Sequence, residues 1–235
     1  MSRGKEIWNT KENAEAYDKY ARSFPMYKDT SRDLIKISGV KSGMTIIDLA
    51  AGTGATTQAI FDQIGDDVYV IAIDQAEEML TKAREKFINK NVKFIVSEAE
   101  DLDKVITEPV DAVLCNSALW QMKGGQVFKA VSGILKPNGI FAFNLPDSFF
   151  NEKDAAGNIE LWAKEAGLTL VNKSIELYDK SLDEILAFNE IPVMKRNFKT
   201  EEDRQDFINK LKDELTAGLL NKRQWVYFIF KKRGP

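Results

Sequence analysis

Asp48, Gly52, Gly54 and Asp74 are the residues whose types and spacing could do chemistry. Apolar Ile46-Ile47 leads into Asp48, and a short Ala50-Ala51-Gly52-Thr53-Gly54 stretch follows. A second apolar run, Ile71-Ala72-Ile73, ends in Asp74. Glycines let a backbone come close to a ligand. An acid at the end of the second run can accept hydrogen bonds from both hydroxyls of a ribose. The pattern points to the edge of an open α/β sheet that holds an adenosine-bearing cofactor.

The charges narrow the choice of cofactor. A dinucleotide turn reads G-x-G-x-x-G and lays a pyrophosphate on a helix N-terminus. Here Gly52-Thr53-Gly54-Ala55-Thr56-Thr57 lacks the third glycine. A carboxylate at Asp48 repels a pyrophosphate at close range. It suits a ligand with a cationic end. S-adenosylmethionine carries an ammonium, a sulfonium and an adenosine, and no phosphate.

These residues need a frame, and the hydrophobic pattern supplies one. Helices are expected from Trp8 to about Ser23, with Asn9 or Thr10 as N-cap, and from near Thr30 to Ser38, closed by Gly39. Phe24-Pro25 separates them. Strands and helices then alternate: Met44–Leu49, Ala55–Ile64, Val68–Ile73, Ala76–Phe87, Val92–Val96, Val110–Cys115, Gln126–Leu135 and Ile140–Leu145. Such alternation implies a parallel sheet with right-handed crossovers. A helix near Asn158–Ala166 and a strand Thr169–Leu177 follow. Asp179–Asn221 reads as helical and charged, and Gln224–Phe230 as a last strand.

Bulk properties exclude several classes. The 235 residues, 44% apolar, suit one α/β domain with an elaboration, or at most two small domains. Net charge is −3 and the basic residues are scattered, so nucleic acid is not the expected partner. No apolar run approaches the roughly 18–20 residues that span a bilayer, and Met1–Glu6 shows no apolar leader core. The single cysteine, Cys115, suits a reducing cytoplasm. Histidine is absent, which excludes imidazole acid–base catalysis, Ser-His-Asp hydrolysis and histidine-held metals. With one cysteine an ordinary zinc site is excluded too.

Asp48-x-Ala50-x-Gly52-x-Gly54 resembles the first motif of class I S-adenosylmethionine-dependent methyltransferases, with Ala50 where glycine is more usual. Five alternating strands and a last pair split by an insertion are similar to that family's seven-stranded sheet. The resemblance implies a three-layer, doubly wound, mostly parallel Rossmann-like sheet, with the final strand antiparallel beside the fifth. It implies one methyltransferase domain over 1–235: a helical lid at 1–40, a cofactor core at 41–178, a helical cap at 179–221 and the final strand at 222–235. The implied cofactor is S-adenosylmethionine, with S-adenosylhomocysteine as product. The implied reaction is metal-free transfer of a methyl group to O, N or C of a small molecule. The aromatic lid hints at an apolar or aromatic acceptor.

Residue by residue, the resemblance sets Asp48, Ala50, Gly52 and Gly54 under the methionine moiety and Asp74 on the ribose. Gln75 and Met79 would flank the adenine, and Glu98 and Ala99 would meet its edge. Asn116 and Ser117 would lie beside the sulfur, with Trp120 walling the acceptor. Trp8, Tyr17, Tyr20, Phe24, Tyr27, Phe149 and Phe188 are candidates for a hydrophobic chamber. Tyr17, Tyr20, Asp147 and Glu190 are candidate bases. Structural readings stand beside these: Asp48 or Asp74 as turn and helix caps, Glu98 as a solvated acid, and Met79, Trp120 and the lid aromatics as core.

Three other functions remain open on the sequence. A nicotinamide dehydrogenase would need the missing glycine and a Tyr-Lys or histidine relay. A protein or nucleic-acid methyltransferase would use the same sheet, although the loop Asn116-Ser117-Ala118-Leu119 is not of the Asn-Pro-Pro-Tyr type. A cofactor-binding protein without transfer activity would keep the same turn.

Overall fold

The computed structural model describes residues 7–151, 155–195, 198–218 and 222–234. Met1–Glu6, on which the leader reading rests, lies outside them, as does the end of the insertion at 219–221.

Helix α1 (Lys11–Ser23) starts where Thr10 Oγ1 accepts from Asn13 N at 3.2 Å. The other cap candidate, Asn9, instead accepts from the amide of Glu78 at 3.1 Å. Helix α2 (Met26–Ser38) begins earlier than the hydrophobic pattern suggested. Pro25 already holds a helical φ of −77°, so the helix starts directly behind it.

Strand β1 (Thr45–Leu49), helix α3 (Ala55–Ile64), strand β2 (Tyr69–Asp74), helix α4 (Glu77–Lys86) and strand β3 (Val92–Val96) follow as expected from alternation. After them come the single turn α5 (Leu102–Val105), strand β4 (Val110–Cys115), helix α6 (Gly124–Ile134) and strand β5 (Leu135–Pro146). Strand β5 begins before the expected Ile140. Leu135 already pairs with Val110, and Pro137-Asn138-Gly139 is an interruption within the strand, with Asn138 at φ 64°. Helix α7 (Ala155–Glu165), strand β6 (Leu168–Asp179), helix α8 (Leu182–Glu190), helix α9 (Glu201–Thr216) and strand β7 (Lys222–Lys232) complete the described chain.

The sheet order is β3-β2-β1-β4-β5-β7-β6. Strands β1 to β5 pair in parallel. Strand β7 lies antiparallel between β5 and β6. This is the expected α/β architecture. Alternation along each strand divides two cores. On one face Ile47, Val113, Phe141 and Phe143 meet Phe128 and Val131 of α6. On the other Ile46, Val70 and Leu114 meet Leu34 of α2 and Ile60 of α3. Helices thus cover both faces, as a parallel sheet requires. Packing is tight where α6 starts: a Cβ on Gly124 would fall 2.2 Å from the Trp162 ring. No helix among the described residues is long and apolar enough to cross a membrane.

Candidate functional site

The carboxyl ends of β1, β2, β3, β4 and β5 and the first residues of antiparallel β7 share one edge of the sheet. A cavity of about 590 Å³ opens there. Open α/β sheets bind ligands at this edge, where the strand order reverses. Here the reversal lies between β1 and β4.

The turn after β1 is shaped by backbone conformation. Ala50, Gly52 and Gly54 have φ of 58°, 55° and 90°. Gly54 N donates to Ala51 O at 2.9 Å, and Ala51 N donates to Ile73 O at 3.0 Å. A Cβ on Gly54 would lie 2.6 Å from the ring of Phe87, so glycine is required sterically as well. Asp74 fixes the turn from the neighbouring strand. Its Oδ2 accepts from Gly52 N at 2.8 Å and its Oδ1 from Ala76 N at 2.9 Å. Burial raises the pKa of the Asp74 carboxyl, and these backbone donors counter the rise.

Asp48 sits beneath the turn, 1% exposed, and does not line the cavity. Its Oδ2 accepts from Thr57 Oγ1 of α3 at 2.6 Å. Burial pushes its pKa up to about 7 against the donation from Thr57, and the Asp74 charge adds to the rise. Asp48 can therefore influence a bound cation through space rather than by contact.

The loop after β4 is set by an amide that sequence reasoning missed. Asn144 in β5 is fully buried. Its Oδ1 accepts from Ser117 N and its Nδ2 donates to Asn116 Oδ1, both at 2.7 Å. Ser117 is thereby held at φ 60°. Asn116 Nδ2 donates to Ser31 Oγ at 3.0 Å and Thr30 Oγ1 at 3.2 Å, tying the loop to α2. A lone amide in the apolar run Phe141-Ala142-Phe143-Asn144-Leu145 is the signal that could have found it.

Ala50, Gly52, Asp74, Gln75, Met79, Glu98, Ala99, Asn116 and Ser117 all line the cavity. So do Trp8, Tyr17, Tyr27, Trp120, Phe149 and Phe188. Across the mouth, Trp8 Nε1 donates to Gln121 Oε1 at 3.1 Å. Gly54 lies behind the turn, outside the lining. The structure does not bring Tyr20, Phe24, Asp147 or Glu190 to the cavity. Tyr20 turns into the lid and donates to Glu184 Oε1 at 3.2 Å, with Phe24 packed on its ring. Asp147 is exposed and accepts from Ser148 N. Glu190 pairs with Arg204 of α9 at 3.5 Å. Burial, with Tyr27 and Asp74 beside it, holds the phenol of Tyr17 protonated well above its ordinary range. That leaves it a hydrogen-bond donor and not a base at neutral pH.

Met26, Met194, Arg223 and Trp225 also line the cavity and were not anticipated. The last two open β7. Its antiparallel insertion carries them to the carboxyl edge, so the strand's direction was the missing signal.

An acid that holds two backbone amides, a positive-φ turn, and a second acid at Glu98 form a lining suited to a ribose, an adenine and a cationic tail. Asp74, Glu98 and Glu100 line the part of the cavity that follows β2 and β3 and disfavour a phosphate in that part; the lining also contains Lys123 and Arg223. Fold and site together define an α/β protein built to hold an adenosyl ligand without a pyrophosphate.

Residues 40–209 match the model of the methyltransferase domain family, and the chain belongs to that family. Its cofactor is S-adenosylmethionine. The chain is 32% identical over 134 residues to a malonyl-acyl-carrier-protein O-methyltransferase of Acetivibrio thermocellus, covering 56% of this chain and 46% of that protein. It is 37% identical over 84 residues to the ubiquinone/menaquinone biosynthesis C-methyltransferase UbiE of a Shewanella species, covering 34% of each. The chain thus spans about half the length, or less, of these curated relatives. Among solved structures it resembles phosphoethanolamine N-methyltransferase 2 of Haemonchus contortus, with a TM-score of 0.60 at 18% identity, covering 87% of this chain and 52% of that one. At that identity the likeness concerns the fold.

Proposed function

We propose that the chain is an S-adenosylmethionine-dependent methyltransferase that methylates O, N or C of a small acceptor with an apolar or aromatic body, without a metal. The observation that carries this reading is the order of the cavity's walls along the sheet edge. Glu98, Asp74 and Ala50 follow β3, β2 and β1, and form a polar half. Asn116, Pro146 and Trp225 follow β4 and β5 and open β7, where the walls become aromatic and apolar. Asn116 and Ser117 stand at the junction.

In this reading Asp74 holds the ribose, Gln75 and Met79 flank the adenine, Glu98 and Ala99 meet its edge, and Ala50 and Gly52 hold the amino-acid tail. When bound, the cofactor would supply an electrophilic methyl carbon with a thioether as its leaving group, near Asn116 and Ser117 in this reading. The chain's own residues position the acceptor and exclude water, effects worth at most about 7–11 kcal/mol. Helices α1 and α8, joined through Tyr20 and Glu184, form the lid over that half. Burial raises the pKa of Tyr17 and Tyr27, so neither phenol is the base in this reading, and an acceptor that is already ionised or a neutral amine needs none. Desolvation then raises its reactivity.

Calorimetric titration with S-adenosylmethionine, S-adenosylhomocysteine and NAD tests the cofactor half. Micromolar binding of the two adenosyl ligands and none of NAD is expected. Transfer of label from methyl-labelled cofactor into a pool of small aromatic acceptors tests the rest. Binding without transfer to any acceptor would favour a cofactor-binding protein instead.

A further inference from the structure

Arg223 lines the acceptor half of the cavity, half-buried, at the start of β7. Among the described residues no carboxylate lies within ion-pair distance of it. Its polar contact among the described residues is a long one, from Nη1 to the thioether of Met26 at 3.8 Å. A thioether is a weak acceptor, and a guanidinium has five N–H donors in a planar fork. A guanidinium drawn out of water with its donors unused is unfavourable unless something else accepts from them.

The neighbouring charges do not fill that role. Glu184 is a buried acid whose carboxyl feels the charge of Arg223, and its Oε1 already takes the Tyr20 hydroxyl. Lys180 adds a second cation to this corner. Burial, together with repulsion from Arg223, lowers its pKa to about 8, while Glu184 and Asp147 act in the opposite sense. Trp225 lies two residues beyond Arg223 on the same strand face and lines the same cavity. Its buried indole N–H has no acceptor among the described residues. Met26, Tyr27 and Phe188 belong to the same hydrophobic cluster as Trp225, and Phe149 lines the same cavity.

Building on the methyltransferase reading above, we infer that Arg223 anchors an anionic group, a carboxylate or a phosphate, on an acceptor whose body is apolar. A guanidinium fork matches either anion with two parallel hydrogen bonds. The aromatic and methionine walls take the rest of the molecule. The anion is a handle that orients the acceptor, and β7 sets it apart along the sheet edge from Asp74 and Glu98, which follow β2 and β3.

The test is calorimetry with phenylacetate, phenyl phosphate and neutral 2-phenylethanol, on the full chain alone and saturated with S-adenosylhomocysteine. The variants are Arg223→Gln and Arg223→Lys, with thermal unfolding recorded for each. We expect at least one anion to bind tenfold or more tightly than the alcohol. That preference should fall below twofold in Arg223→Gln and be partly kept in Arg223→Lys, with unchanged affinity for S-adenosylhomocysteine. The stronger of the two anions identifies the class of head group. Equal binding of alcohol and anions, absence of anion binding at millimolar concentration, or a preference that survives in Arg223→Gln overturns the inference. Loss of S-adenosylhomocysteine binding alone overturns the cofactor reading, and the titrations on the unliganded chain still decide the anion.

Discussion

The carboxylate of Asp74 accepts the amide of Gly52 at 2.8 Å, so the acid ending β2 holds the glycine turn that follows β1. One side chain therefore both shapes the turn and faces the cavity. Asp74→Ala removes the acceptor of Gly52 N and Ala76 N and the proposed partner of the ribose. A hydrogen bond to a charged group is worth about 1.5–3 kcal/mol. Affinity for S-adenosylhomocysteine should fall roughly tenfold to a hundredfold by calorimetry. Undiminished affinity would remove Asp74 from the binding site.

Two neighbouring substitutions should act in opposite directions. Ala50 has φ 58°, a conformation that costs a residue with a Cβ about 1 kcal/mol. Ala50→Gly should raise the melting temperature or leave it unchanged. Gly54→Ala meets Phe87 at 2.6 Å and φ 90° at once, and should destabilise by about 2 kcal/mol or more. Adding Phe87→Leu to Gly54→Ala should recover part of the loss, because the clash is with the ring. Two melting temperatures that move together would contradict this assignment of strain.

Asp48 should leave a signature in the pH dependence of stability. Its pKa is about 7 in the folded chain, against about 3.9 for an unfolded aspartate. The folded state therefore holds the proton to higher pH than the unfolded state does. Between about pH 4 and pH 7 this group makes stability fall as pH rises, by up to about 1.4 kcal/mol per pH unit, and the loss levels off above pH 7. Asp48→Asn, which keeps an acceptor for Thr57, should flatten that slope and be more stable than the parent at pH 8. Parallel chemical-denaturation curves for the two proteins from pH 4 to 8 would count against a buried, late-titrating Asp48.

The lid should respond to a single hydroxyl. Tyr20 and Glu184 are both 4% exposed, and their hydrogen bond joins α1 to α8. Tyr20→Phe leaves a buried acid short of a donor, a loss of about 1–3 kcal/mol. Amide exchange in α8 should quicken by about tenfold or more while the β-sheet amides keep their protection. Equal protection of α8 in the two proteins would show that the lid is held by packing alone.

The local parts of this design were legible in the sequence and the distant ones were not. The β1 turn and Asp74 stand out because strand, glycines and acid lie within one crossover unit. Helix α3 has the expected bounds because Gly54 and Gly65 punctuate it. The start of β5 was misjudged because Pro137-Asn138-Gly139 has the composition of a turn, while Leu135 is already paired with Val110. Tyr20 carried no sign of its partner, since Glu184 lies 164 residues away. Arg223 and Trp225 were passed over because only the antiparallel register, with Trp225 opposite Pro146, takes them to the ligand edge. Asp48 was visible as an acid near the turn, but its engagement with Thr57 depends on how α3 packs back on β1.

Strand β7 has a consequence for how the molecule comes into being. Strands β5 and β6 meet only through β7, which leaves the ribosome after both and after the whole of α8 and α9. Until it arrives, β6 has no neighbour in the sheet and β5 presents an open edge, a state that invites pairing with other chains. Phe228 and Phe230, which close the aromatic stack on Phe143, arrive at the same moment. The polar half of the cavity can form on the nascent chain, whereas the proposed acceptor half lacks Arg223 and Trp225 until this insertion. Competence for the adenosyl ligand should thus precede competence for the second substrate during synthesis, and slow insertion of β7 would show itself as aggregation rather than as a partially active protein.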